Sequence, residues 1–394
     1  MTGFFETYVQ GELSSLAQLG RLREADDGRL RAAAQTAAAA LGVPPVDASS
    51  NDYLGFANGV VSRETAVQVG RAPTGAGASR LIHGTRAAHL ALESELADWV
   101  GLPSALLFTS GFAANTGLLS ALATTDTLVL SDQLNHASII DGCRQARART
   151  EVIPHLDLDA FERVLAANQT AKARFVVVES FFSMDGDVSD LRALRVLCDR
   201  YHAGLLVDEA HALGVFGPSG AGRCAELGVV PDALMGALGK AVGAQGAFLA
   251  GSASLRTLLW NRARSFVFST AGSPLLAEAA QFHVQQTRGA DSQRARLNQN
   301  IAQLRQHLTA RGIHPVPGSI GPIVPVVVGS NARALEIAAV LSASGILTQA
   351  IRPPTVPEGT ARIRLTVSAA WPADAPERIA TALADAMATP PSGA

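Results

Sequence analysis

At 394 residues, with 48% hydrophobic and 17% charged side chains, the chain is long enough for about two to three compact domains without a disulfide framework. Its 32 basic and 34 acidic side chains nearly cancel, and no Lys/Arg cluster is interleaved with aromatics, which argues against nucleic acid as a partner. Cys143, Cys198 and Cys224 are scattered and fit a reducing cytosol; neither an export leader nor an apolar window of about 18 residues points to a membrane.

In chain order, residues 1–50 read as a helical arm that ends in the loop Gly42-Val43-Pro44-Pro45. From Ser104 onward, short apolar runs (ALLFTS, TLVLSD, RFVVVES, GLLVDEA) alternate with helical stretches. That alternation predicts an α/β fold, with βα units on a mostly parallel sheet covered on both faces. Helices are expected near 255–266 and 274–286, after which αβ pieces such as IVPVVVGS and ARIRLTVSA read as a smaller α+β domain. The expected division is therefore an arm (1–50), a large domain (51–284) and a C-terminal domain (285–394).

Several motifs fall away on inspection. Gly75-Ala76-Gly77-Ala78-Ser79-Arg80 begins like a dinucleotide loop but ends in Arg80, with no clear strand before it. Asp208-Glu209-Ala210-His211 spells a helicase box, yet no P-loop accompanies it. No HExxH or clustered Cys/His spacing supports a metal site.

What remains converges on one chemistry. Asp208 and His211 follow the apolar run Gly204-Leu205-Leu206-Val207, at the strand end where open α/β sheets place ligands. Lys240 is the only ionisable side chain in the stretch from Ala233 to Ser252; unless it snorkels to solvent, it is partnered, deprotonated or covalently used. Asn135-His136 follows another strand, which offers an imidazole to stack on a ring. Ser110-Gly111-Phe112 joins a strand to a helix start, a place for an anion such as phosphate, and Ser183 adds a hydroxyl at a further strand end. An acid, two histidines, a lysine and a helix N-terminus together suit pyridoxal 5′-phosphate (PLP).

The runs Ser49 to Gly55, Ser110 to Asn115, Asn135 to Ser138, Ser183 to Asp187, Asp208 to His211 and Leu238 to Lys240 resemble the α-oxoamine synthases, in one order from about residue 13 to 385. These are fold-type I PLP-dependent enzymes that join an amino acid to an acyl thioester with loss of CO2. The resemblance implies a large domain with a mostly parallel seven-stranded sheet, a smaller C-terminal α+β domain, and a homodimer. It also implies a Schiff base on Lys240, Asp208 on the pyridine nitrogen, His211 on the phenolic oxygen and His136 stacked on the ring and taking part in catalysis. Gly111, Phe112, Ser183, and Ser269 with Thr270 across a dimer interface, would position the cofactor. Arg352 and Thr355, with Asn51, His136 and Arg23, would hold substrate.

The loop Ala350-Ile351-Arg352-Pro353-Pro354-Thr355-Val356-Pro357 resembles the biotin-pathway members, whose partners are L-alanine and a pimeloyl thioester of CoA or acyl carrier protein. A guanidinium fixed beside prolines suits a carboxylate, although Arg352 in a structural ion pair is an equal reading of those residues alone. Two departures stand out: Ala237 replaces a threonine common three residues before the lysine, and His83 stands where serine is frequent. Alternatives are a glycine-using sister synthase, an aminotransferase of the same fold, and a non-catalytic PLP-fold binding protein.

Overall fold

The computed structural model describes residues 3–23, 28–59, 66–67 and 69–390; positions 24–27 of the expected arm lie outside them. By contacts the chain forms two compact units: Asn51–Ser183 with Asp187–Ala295, and Met1–Ser50 with Met184–Gly186 and Arg296–Ala394. The division thus falls after Ala295, whereas the sequence reading drew it at 285, and residues 1–50 belong with the C-terminal unit.

After a two-residue strand, Val46–Asp47 (β1), come the strands of the large unit: Ser104–Phe108 (β2), Thr127–Asp132 (β3), Arg149–Ile153 (β4), Ala173–Glu179 (β5), Gly204–Asp208 (β6), Ala233–Ala237 (β7) and Ala247–Gly251 (β8). They form one seven-stranded sheet in the order β2-β8-β7-β6-β5-β3-β4. The β3, β4, β5, β6 and β7 neighbours run parallel, and β8 is antiparallel to both β2 and β7. Parallel neighbours need crossovers, which the helices Ala137–Ala146, Leu158–Ala167 and Leu191–Arg200 supply.

Both faces of the central strands are buried, which is why β3, β5 and β6 read as apolar runs. Val176 and Val178 pack into one core with Leu128, Leu130, Leu205 and Val207. Val177, one residue out of phase, packs into the other with Val129 and Leu206. All three valines are 3% exposed or less. Each side chain so buried contributes about 1.5–3 kcal/mol, enough to set the register of the central strands.

In the other unit, Ile323–Gly329 (β9), Gln349–Ile351 (β11) and Ala361–Thr366 (β12) form an antiparallel sheet in the order β11-β12-β9, and Ile346–Leu347 (β10) pairs in parallel with β1. Residues near β1 are tied in by Trp371 Nε1, which donates to the Asp47 carbonyl at 2.8 Å, and by Thr366 N, which donates to the Ala48 carbonyl at 2.9 Å. Among the described residues, no helix is long and apolar enough to cross a membrane.

Candidate active site

Parallel strands β5, β6 and β7 lie side by side, and their last residues, Glu179, Asp208 and Ala237, line a cavity of about 410 Å³ in the large unit. Around them stand Ser110, Gly111 and Phe112, together with His136, Ala210, His211 and Lys240. Six of the residues expected at the cofactor therefore share one cavity.

The helix Gly111–Leu122 begins at its rim, with Ser110 Oγ as the N-cap, accepting from Ala113 N at 3.1 Å. That cap satisfies one orphan amide and leaves the helix start to favour an anion. Lys240 is half-buried, in the turn after β7 where Gly243 N donates to its carbonyl at 2.9 Å. Gly243 has φ of +70°, and a Cβ there would stand 2.6 Å from Ala57 N. Only glycine lets this turn close against the 52–57 loop. That loop is itself braced by Asp52, which accepts from Phe56 N at 2.8 Å and Ala57 N at 2.9 Å.

Asp208 is 5% exposed and accepts from Ala210 N and Asn115 Nδ2, both at 2.8 Å. Asn115 Nδ2 also donates to Ser138 Oγ at 2.9 Å. Ser138 Oγ lies 2.8 Å from His136 Nδ1, and Ser138 N donates to the same nitrogen at 3.2 Å. With Nδ1 accepting, a neutral His136 carries its proton on Nε2. Burial and the charge of Lys240 lower the pKa of His136 against the opposing pull of Asp208, so the neutral ring prevails near pH 7. His211, 7% exposed, meets the hydroxyl of fully buried Tyr53 at 2.7 Å from Nδ1.

Other expected residues lie elsewhere. Ser183 is buried beside the cavity, its backbone N–H directed to the Glu179 carboxyl. Asn51 joins the group through Tyr53, whose hydroxyl donates to Asn51 Oδ1 at 3.4 Å. Ser269 and Thr270 line a neighbouring cavity of about 150 Å³ with buried Arg80, so a single chain does not bring them to Lys240. Ala237, the departure noted from the family's common threonine, lines the cavity with a methyl. In the other unit, Arg23 Nη2 donates to Thr355 Oγ1 at 3.1 Å, and Arg352 Nη1 donates to the Gly20 carbonyl at 3.1 Å.

The sequence reading missed Glu179, Asn115, Ser138 and Tyr53 as members of this group. Each sits in or beside a run already singled out, so the signal was adjacency to a strand end; which ones face the cavity is a matter of register.

Residues 44–383 match the family model described as aminotransferase class I and II. The chain is 46% identical over 352 residues to an 8-amino-7-oxononanoate synthase of Anaeromyxobacter dehalogenans, covering 88% of each chain. It is 44% identical over 352 residues to the enzyme of that name from Methylococcus capsulatus, covering 88% of this chain and 90% of that one. Among solved structures, a serine palmitoyltransferase from S. paucimobilis with a bound PLP–myriocin aldimine superposes with a TM-score of 0.82 at 26% identity, covering 87% of each chain. An 8-amino-7-oxononanoate synthase from Francisella tularensis shares the fold, with a TM-score of 0.76 at 24% identity over 86% of this chain and 97% of that one. The chain belongs to the 8-amino-7-oxononanoate synthases, within the class I and II aminotransferases.

Proposed function

We propose that this chain condenses L-alanine with pimeloyl-CoA, or with the pimeloyl thioester of a carrier protein, releasing CO2 and free thiol and forming 8-amino-7-oxononanoate for biotin synthesis. The observation that carries this reading is the cavity at the ends of β5, β6 and β7. There a lysine, a hydrogen-bonded buried acid and a helix N-terminus meet in a chain of this family.

These residues fit PLP. Glu179 Oε1, buried in the cavity wall, has no hydrogen-bond partner among the described residues and awaits one from a ligand. When bound, the cofactor withdraws electrons from the amino acid's α-carbon. Lys240 Nζ would hold it covalently and serve as base for the alanine Cα proton. Asp208 would keep the pyridine nitrogen protonated, oriented by Asn115. His136 would cover the ring face as a neutral imidazole, and His211, fixed by Tyr53, would face the phenolic oxygen. Gly111 and Phe112 would meet the phosphate at the helix start, and Ser183 would help position the cofactor. Arg352 and Thr355, with Asn51 and Arg23, would hold substrate carboxylate.

The family resemblance supports a homodimer in which the partner subunit's Ser269 and Thr270 complete the phosphate site that Ala237 leaves one hydroxyl short. A mass measurement in solution tests the dimer. The activity is tested by thiol release from pimeloyl-CoA with alanine, glycine or serine; release with alanine supports the reading. Release with glycine or serine alone, each with its own acyl thioester, would reassign the chain to a sister synthase.

A further inference from the structure

Glu179 and Asp208 are register partners on the adjacent parallel strands β5 and β6, so their side chains leave the sheet on the same face. Neighbouring strands lie about 4.8 Å apart, which brings two carboxyl groups together in one cavity wall. The two are treated differently. Asp208 receives N–H donors from Asn115 and Ala210, which suits it to carry the negative charge of the pair. The N–H groups of His136 and Ser183 also face the Glu179 carboxyl, yet the side chain is 3% exposed and its Oε1 has no partner among the described residues. Two carboxylates this close do not both ionise readily, and the one with the unmet oxygen is the one that keeps a proton.

We propose that Glu179 is held as a neutral carboxylic acid and donates a hydrogen bond from Oε1 to the bound cofactor, so that Asp208 alone faces it with negative charge. This rests on the PLP reading above. Supporting it, burial and the charge of Asp208 push the Glu179 carboxyl up to about 8, against Lys240 and the N–H groups of His136 and Ser183. The charged and titratable groups that line the cavity around it are Asp208 from β6, His211 just after it, Lys240 from the turn after β7, and His136 from the loop after β3. The neutral His136 adds no positive charge to draw the proton off.

The test uses the full chain with and without PLP, as wild type, Glu179→Gln and Glu179→Ala. Infrared spectroscopy of the PLP-free protein should show a protonated-carboxyl stretch that titrates away near pH 8 and is missing in Glu179→Gln. PLP affinity of the wild type should weaken as pH rises above about 8, by up to tenfold per pH unit, because the complex needs the protonated form. Glu179→Gln keeps a donor and cannot ionise; it should bind PLP within about threefold of wild type at pH 7 and lack that loss. Glu179→Ala should bind about tenfold more weakly at pH 7. Absence of the infrared band at pH 7, or a loss of more than tenfold in Glu179→Gln with the pH dependence intact, would overturn the proposal. A wild type that binds no PLP at any pH would instead sink the functional reading, and the infrared titration would still report on Glu179.

Discussion

Asn115 Nδ2 donates to Asp208 Oδ2 at 2.8 Å and to Ser138 Oγ at 2.9 Å, so one buried amide ties the cavity's acid to the serine that fixes His136. Both amide hydrogens are committed. Asn115→Ala removes a donor to a buried carboxylate and lets the His136 ring turn. It should cost about 1–3 kcal/mol of stability and weaken PLP binding about tenfold, measured by urea unfolding and by cofactor titration.

His155 is gripped from both sides: Nδ1 meets Asp132 Oδ1 at 2.8 Å and Nε2 meets Asp187 Oδ2 at 2.9 Å. Burial works against the imidazolium, but the two carboxylates outweigh it and raise its pKa to about 10. Because the folded value lies above the unfolded one near 6.5, the stability this group contributes is complete below about pH 6.5 and is lost as pH rises through about 10. His155→Asn should cost about 3 kcal/mol at pH 7 by leaving the buried Asp132 carboxylate with only the N–H groups of Leu134 and Leu156 and no counter-charge, and the gap from wild type should narrow by pH 10. Denaturant unfolding at both pH values checks the sign.

The turn carrying Lys240 depends on Gly243. An added Cβ would lie 2.6 Å from Ala57 N and 2.8 Å from the Phe56 carbonyl carbon, at a φ of +70° that side chains rarely adopt. Gly243→Ala should cost about 2–3 kcal/mol and shift Lys240, seen as a lower melting temperature together with weaker PLP binding.

Much of the large unit was legible before any coordinates because β3, β5 and β6 are buried on both faces, and such strands write themselves as unbroken apolar runs. Asp208 and His211 stood out because a parallel strand's carboxyl end is a functional address, and Lys240 because nothing else in its stretch ionises. Strand order was not legible: nothing in the alternation says that β8 inserts antiparallel between β2 and β7. Glu179 escaped notice for the same reason, since its standing beside Asp208 is a fact of register between segments that the sequence holds apart. The meeting of Arg23 with Thr355, 332 residues away, and of β1 with β10 likewise depends on tertiary pairing.

Among the described residues, Arg352 Nη1 donates to the Gly20 carbonyl, and its Nε, though buried, has no partner. Part of the fork is thus uncommitted, as a carboxylate-binding guanidinium requires. Arg352→Lys keeps charge but loses the planar fork, and should raise KM for substrate about tenfold to a hundredfold with a smaller change in kcat; steady-state kinetics at varied alanine and varied thioester tell which substrate it holds.

In the proposed function, Lys240 binds the cofactor covalently and performs the proton transfer. Absorption spectra and alanine-dependent thiol release, measured on wild type and Lys240→Ala under the same conditions, test it most directly. The wild type should show the absorption band of cofactor linked to the lysine together with turnover, and Lys240→Ala should lack both while binding PLP only as the free aldehyde. Turnover retained in Lys240→Ala would contradict it.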